Sequence, residues 1–125
     1  MIDDYFLKFS ESLAYLDIIT SHSLTKKKID DYSGIIRGRI CFGQFSLEVL
    51  EVVFLFNNPQ VKKKKYSYHF MDSNSSLIFR YDNAMHHKEL YSFPHHKHIK
   101  GDVVVSNEPN IQIVLQEIKS HLERQ

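Results

Sequence analysis

Between residues 35 and 82, apolar and polar side chains alternate through four successive segments, and the breaks between those segments are short and turn-forming. Residues 35–42 and 45–56 are separated by Gly43-Gln44 alone, and a two-residue connection opening with glycine predicts a hairpin of the II′ kind. After a turn at Asn57-Asn58-Pro59, residues 61–71 and 77–82 pair through the polar turn 72–76. The β-branched, apolar run at 15–21 reads as a further strand, and the lysine-rich TKKKIDDYSG after it as a loop or ragged hairpin. These readings give five strands in antiparallel sequence.

Phe6, Phe9, Leu13 and Leu16 recur at steps of three and four, which predicts a short amphipathic helix ending near Leu13. At the other end Ile111, Val114, Leu115, Ile118 and Leu122 share one helical face over residues 110–122, with Pro109 near the first turn. Between 83 and 101 neither period holds, although 95–99 and 103–105 can form short strands. An irregular stretch this rich in reactive side chains is more often functional than connective. The expected fold class is α+β: a twisted antiparallel sheet of five or more strands, covered by N-terminal and C-terminal helices.

At 125 residues, a single domain spanning 1–125 is expected. The lone Cys41 has no intrachain partner, so packing alone must hold the fold, as suits a reducing compartment. No basic-then-apolar leader is visible, and the longest apolar run, 52–56, is far short of the roughly 20 residues that cross a bilayer. A cytoplasmic protein without a membrane partner is the expectation. The formal net charge of +1 hides local bias, since lysines cluster at 26–28 and 62–65.

Strand alternation assigns faces. Ile36, Ile40 and Phe42 share one side of their strand, while Arg37 and Arg39 share the other with their roots about 7 Å apart. That spacing suits successive phosphates, and it equally suits ion pairs to Glu48 or Glu51 on the next strand. Tyr66, Tyr68 and Phe70 oppose Lys65, Ser67, His69 and Met71, and Leu77, Phe79 and Tyr81 oppose Arg80 and Asp82. The aromatic faces read as core, with base stacking as the alternative. Alternation also sends Lys63 and Lys65 to the His69 side, where they line a phosphate-attracting groove or form a solvated edge.

Five of the eight histidines fall within thirteen positions, 86–98. An extended HHKH run points His96 and His98 one way and His95 and Lys97 the other. Two imidazoles on one face begin a metal site, for which His69, Asp82, His86 or His87 can supply a third ligand. Without a metal, the same residues suit RNA cleavage. One histidine takes the 2′-hydroxyl proton, a second protonates the leaving 5′-oxygen, and Lys97 or Arg80 stabilises the anionic phosphorane. His69 and Asp82 assist, Asp82 by orienting an imidazole. The bland reading leaves several of these histidines bonded to backbone or solvent.

Arg37-Gly38-Arg39, Tyr66-Ser67-Tyr68-His69, Phe79-Arg80-Tyr81-Asp82-Asn83 and Phe93-Pro94-His95-His96-Lys97-His98 together resemble the TumE family of bacterial and archaeal toxin–antitoxin toxins. Met85 stands where proline is common, a departure that alters a loop more than a chemistry. The resemblance implies a small cytosolic toxin neutralised by a cognate antitoxin protein. Residue chemistry and resemblance converge on RNA, giving as first expectation a metal-independent endoribonuclease without cofactor. Its catalytic set is His96 and His98 as acid and base, with His69, Asp82 and Lys97; Arg37, Arg39, Lys63, Lys65 and Arg80 bind the nucleic acid. The alternative is a metal-stabilised module that binds nucleic acid or protein without turnover. In either case the basic runs can hold an acidic antitoxin segment over the same groove.

Overall fold

The computed structural model describes residues 1–14, 16–56 and 61–125. The chain passes through α1 (Ile2–Ala14), β1 (Ser21–Asp30), β2 (Ser33–Phe42), β3 (Phe45–Leu55), β4 (Val61–Met71), β5 (Leu77–Asp82), β6 (His96–Ile99), β7 (Asp102–Val105) and α2 (Ile111–Glu123). All seven strands lie in one sheet in chain order, each antiparallel to its neighbours. The expected α+β class, with a helix at each end, is what forms.

Local chemistry accounts for most boundaries. Gly43 has φ 65°, the positive value that a II′ turn requires at its first central position, so β2 and β3 pair without slack. At α2 the Asn110 side chain accepts from the Ile113 N–H at 2.9 Å and caps the helix. Pro109 therefore sits just outside the first turn.

The expectation of a strand at 15–21 fails. Tyr15 and the turn at Asn57-Asn58-Pro59 lie outside the described residues, but Leu16 and Ile19 close turns onto Leu13 and Leu16, and β1 starts only at Ser21. The lysine-rich segment read as a loop is most of that strand. β1 is a sheet edge exposed on nearly every residue, so no burial imposes alternation on it, and its lysines discourage pairing with another chain. The apolar side chains of Leu16, Ile18 and Ile19 pack against the core from the connection instead.

Both helices cover one face of the sheet. Ile2, Phe6, Phe9 and Leu13 of α1 and Ile111, Val114, Leu115 and Ile118 of α2 are buried against Ile36, Ile40, Leu47, Val53, Tyr66, Tyr68, Phe70 and Phe79. A Cβ on Gly34 would fall 2.5 Å from Phe6 Cζ, so glycine lets α1 sit directly on β2. Tyr66, Tyr68 and Phe70 are at most 1% exposed, which makes the aromatic face core and leaves no rings for base stacking there. The side chains of β2 to β6 that point away from the helices are thereby gathered on the opposite face. Among the described residues no helix is long and apolar enough to cross a membrane.

Candidate functional site

The register shifts of β3–β4 and β4–β5 lie outside residues 48–50, 67–69 and 80–82, so pairing there aligns the sequence motifs into two rows across the open face. One row runs Arg39, Glu48, His69, Arg80, His98, each opposite the next on the adjoining strand. The second, two residues along each strand, runs Arg37, Leu50, Ser67, Asp82, His96. At a strand spacing of about 4.8 Å, His69 and His98 flank Arg80 at roughly one strand width each. The residues between the paired positions, including Val49, Tyr68 and Tyr81, face the core. Gly38 is the exception in size: its φ is 156° and a Cβ there would stand 2.1 Å from the Ser23 carbonyl oxygen, so only glycine lets β1 approach between the two arginines.

Asp82 is the hub of the β5–β6 end. Its Oδ1 accepts from the Ala84 N–H at 3.0 Å and lies 2.7 Å from His96 Nε2, while its Oδ2 accepts from Arg80 Nε at 2.9 Å and lies 3.5 Å from His98 Nε2. Arg80 Nη2 reaches His98 Nε2 at 3.0 Å. His96 is 1% exposed, with Nδ1 on the Pro94 carbonyl at 2.9 Å. Burial and then the Arg80 charge hold the imidazoles of His98 and His69 below their ordinary value of 6.5. Both rings are accordingly neutral at pH 7.

The third imidazole of the cluster comes from the loop. His87 has φ 58°, unusual for a side chain of its size, and its ring centroid lies 5.1 Å from that of His96 and 5.7 Å from that of His98. Glu89 Oε1 holds its Nδ1 at 3.2 Å. Beside this cluster, and sharing Arg80 and Asp82 with it, a groove of about 790 Å³ runs along the open face, lined by Arg37, Arg39, Lys65, His69 and His86 and by the carboxylate of Glu48.

Two of the expected site residues lie elsewhere. Lys63 is 6% exposed and on the helix side, where its Nζ donates to Tyr68 Oη at 2.8 Å and to the Pro109 carbonyl. Pairing shifts by one between Val52 and Val53, so Lys64 is the extra residue of a bulge and parity reverses for Lys63. Burial pulls the Lys63 amine below its usual value. Lys97 also faces the helices, with its Nζ 2.7 Å from Glu117 Oε2 and over the Tyr81 ring, opposite to His96 and His98. Strand alternation itself separates it from them, which removes it from any chemistry with those rings. Arg39 pairs with Glu48 at 2.5 Å, and Glu51 is buried under Tyr5 and Tyr68.

A family model described as Toxin TumE matches residues 6–122, nearly the whole chain. The chain belongs to the TumE toxin family. It is thus the toxin of a toxin–antitoxin system, and an antitoxin is its partner. No curated protein and no solved structure matches it. In this TumE-family chain the four motifs that carried the resemblance supply every residue of the two rows except Glu48 and Leu50 of β3. Sequence reasoning passed over Glu89 and weighed His87 only as a possible ligand. The signal for both was the histidine density of 86–98, but which of those rings meets β6 depends on a left-handed backbone at His87 that no period announces.

Proposed function

We propose that this toxin cleaves RNA through the 2′-hydroxyl without requiring a metal, and that His98 is the general base. The observation that carries the reading is the row His69, Arg80, His98: one guanidinium between two imidazoles whose protons are easily lost, at the end of a basic groove. A substrate phosphate drawn to Arg80 frees His98 Nε2, which takes the 2′-hydroxyl proton. The 2′-oxygen then attacks phosphorus, the bond from phosphorus to O5′ breaks, and an acid protonates O5′, leaving a 2′,3′-cyclic phosphate and a 5′-hydroxyl. Arg80 stabilises the charge on the equatorial oxygens.

The division of labour in this reading differs from the one expected from sequence. His96 is enclosed behind Asp82, so it acts as a positioning residue that orients the carboxylate rather than as the acid. His87 takes the acid's part, with no hydrogen bond to Nε2 among the described residues and Nδ1 held by Glu89 as a carboxylate holds a catalytic imidazole. Arg37, Arg39 and Lys65 hold the RNA backbone along the groove.

The test is incubation of purified toxin with labelled single-stranded RNA and its DNA counterpart in EDTA, beside His98→Ala and Arg80→Ala. Cleavage of RNA alone, ending in cyclic phosphate and lost in both variants, is the expected result. Intact RNA, or equal cleavage by wild type and His98→Ala, rejects the reading.

A further inference from the structure

We infer that His87, His96 and His98 form a binding site for a zinc-class divalent metal ion, with Asp82 as the fourth donor. One ring nitrogen from each histidine lies within 4.8 Å of the others, and the ring centroids of His96 and His98 are 4.9 Å apart. Zinc bound tetrahedrally at 2.0–2.1 Å sets its nitrogen donors about 3.3 Å apart, so contraction by about 1.5 Å at most closes the site. Side-chain rotation within a loop and one short strand supplies that.

The surroundings are built as metal sites are built. A ligating imidazole commonly donates its second N–H to a carbonyl or carboxylate, which fixes the tautomer and aims the other nitrogen at the ion. His96 Nδ1 is on the Pro94 carbonyl and His87 Nδ1 is on Glu89, which leaves Nε2 to face an ion on both; on His96 that atom must exchange its contact with Asp82 Oδ1, and the proton in it, for the metal. The Nε2 atoms of His96 and His98 converge on Asp82, at 2.7 and 3.5 Å. A donor set of three imidazole nitrogens and one carboxylate favours zinc, cobalt, nickel or copper over magnesium or calcium, which prefer oxygen.

Arg80 is the competitor. Its guanidinium bonds Asp82 Oδ2 and His98 Nε2, two of the atoms the ion would use, and it carries like charge. The ion and the Arg80 contacts therefore exclude one another. Removing Arg80 should tighten metal binding, although the same change weakens a phosphate site.

Titration calorimetry with Zn²⁺ and visible absorption with Co²⁺ test this on the full chain without RNA. One ion per chain is expected, with tetrahedral cobalt bands. His87→Ala and His98→Ala should each weaken affinity by more than about 100-fold while retaining a cooperative melt, and Arg80→Ala should tighten it by about tenfold or more. Absence of saturable binding below millimolar zinc, affinity unchanged in both histidine variants, or weaker binding by Arg80→Ala overturns the inference. The result is separable from RNA cleavage, which is assayed in EDTA: either can fail alone. If both hold, zinc inhibits cleavage by occupying His98 and Asp82, a consequence that rests on the proposed RNA chemistry.

Discussion

Arg80 Nη2 lies 3.0 Å from His98 Nε2, and since a guanidinium has only donors, the histidine must accept there with its lone pair. The ring proton then sits on Nδ1. Partial burial opposes a second proton on this ring, and the cation held against Nε2 adds to the effect. Phosphate on Arg80 would release the lone pair that a base needs.

That contact sets a pH dependence. The folded pKa values of His98 and His69 are depressed from 6.5 by burial and by Arg80. Their contribution to stability is thus fully present above 6.5 and is lost as pH falls through the folded values. Thermal melts taken downward from pH 7 should show falling Tm, and Arg80→Met should flatten the part of the slope due to its charge. A slope equal in wild type and Arg80→Met would contradict the coupling.

Substitutions on the two faces of β6 should separate. His98→Ala is expected to lower RNA cleavage by about 10²- to 10⁴-fold, the usual range for a lost acid or base. Lys97→Met, on the helix side, should leave cleavage unchanged and lower stability by about 1 kcal/mol through the lost Glu117 pair. Single-turnover rates beside denaturant melts measure both, and a large rate loss in Lys97→Met would contradict the face assignment.

Lys63 and Lys65 should behave as different residues despite adjoining in one run. Lys65→Ala is expected to reduce the salt slope of RNA affinity by about one phosphate contact. Lys63→Ala should leave that slope intact but cost about 2 kcal/mol, since Tyr68 Oη and the Pro109 carbonyl lose a buried donor. Fluorescence anisotropy at several salt concentrations decides between them.

Gly38→Ala should destabilise the fold by about 2 kcal/mol or more, because both the φ of 156° and the 2.1 Å approach to Ser23 resist a methyl group. Hydrogen exchange should then rise first in β1, which this close approach holds to β2. Unchanged protection of β1 would reject the idea that Gly38 seats it.

Legibility differed by element for physical reasons. Strands β2 to β5 and α2 were readable to within two residues at each end, because one face of each is buried and burial forces a period on the sequence. β1 was misplaced because an exposed edge carries no such period. Alternation put Arg37 with Arg39, Arg80 with Asp82 and His96 with His98 on one face of their own strands, and His69 opposite the aromatic face of its strand. Lys63 could not, since one bulged residue inside KKKK reverses parity without altering composition.

The sequence by itself determined that these strands are antiparallel, which side chains share a face within each, and that histidine chemistry concentrates beyond Asp82. Those properties follow from neighbours along the chain: the pleat repeats every two residues, and short turns leave only one way back. The tertiary structure alone decided that Arg80 stands between His69 and His98, that Lys63 turns inward, and that His87 closes on β6. Each of these depends on hydrogen-bonded register or loop backbone between residues distant in sequence, and a one-residue change in pairing alters it while leaving every local pattern the same.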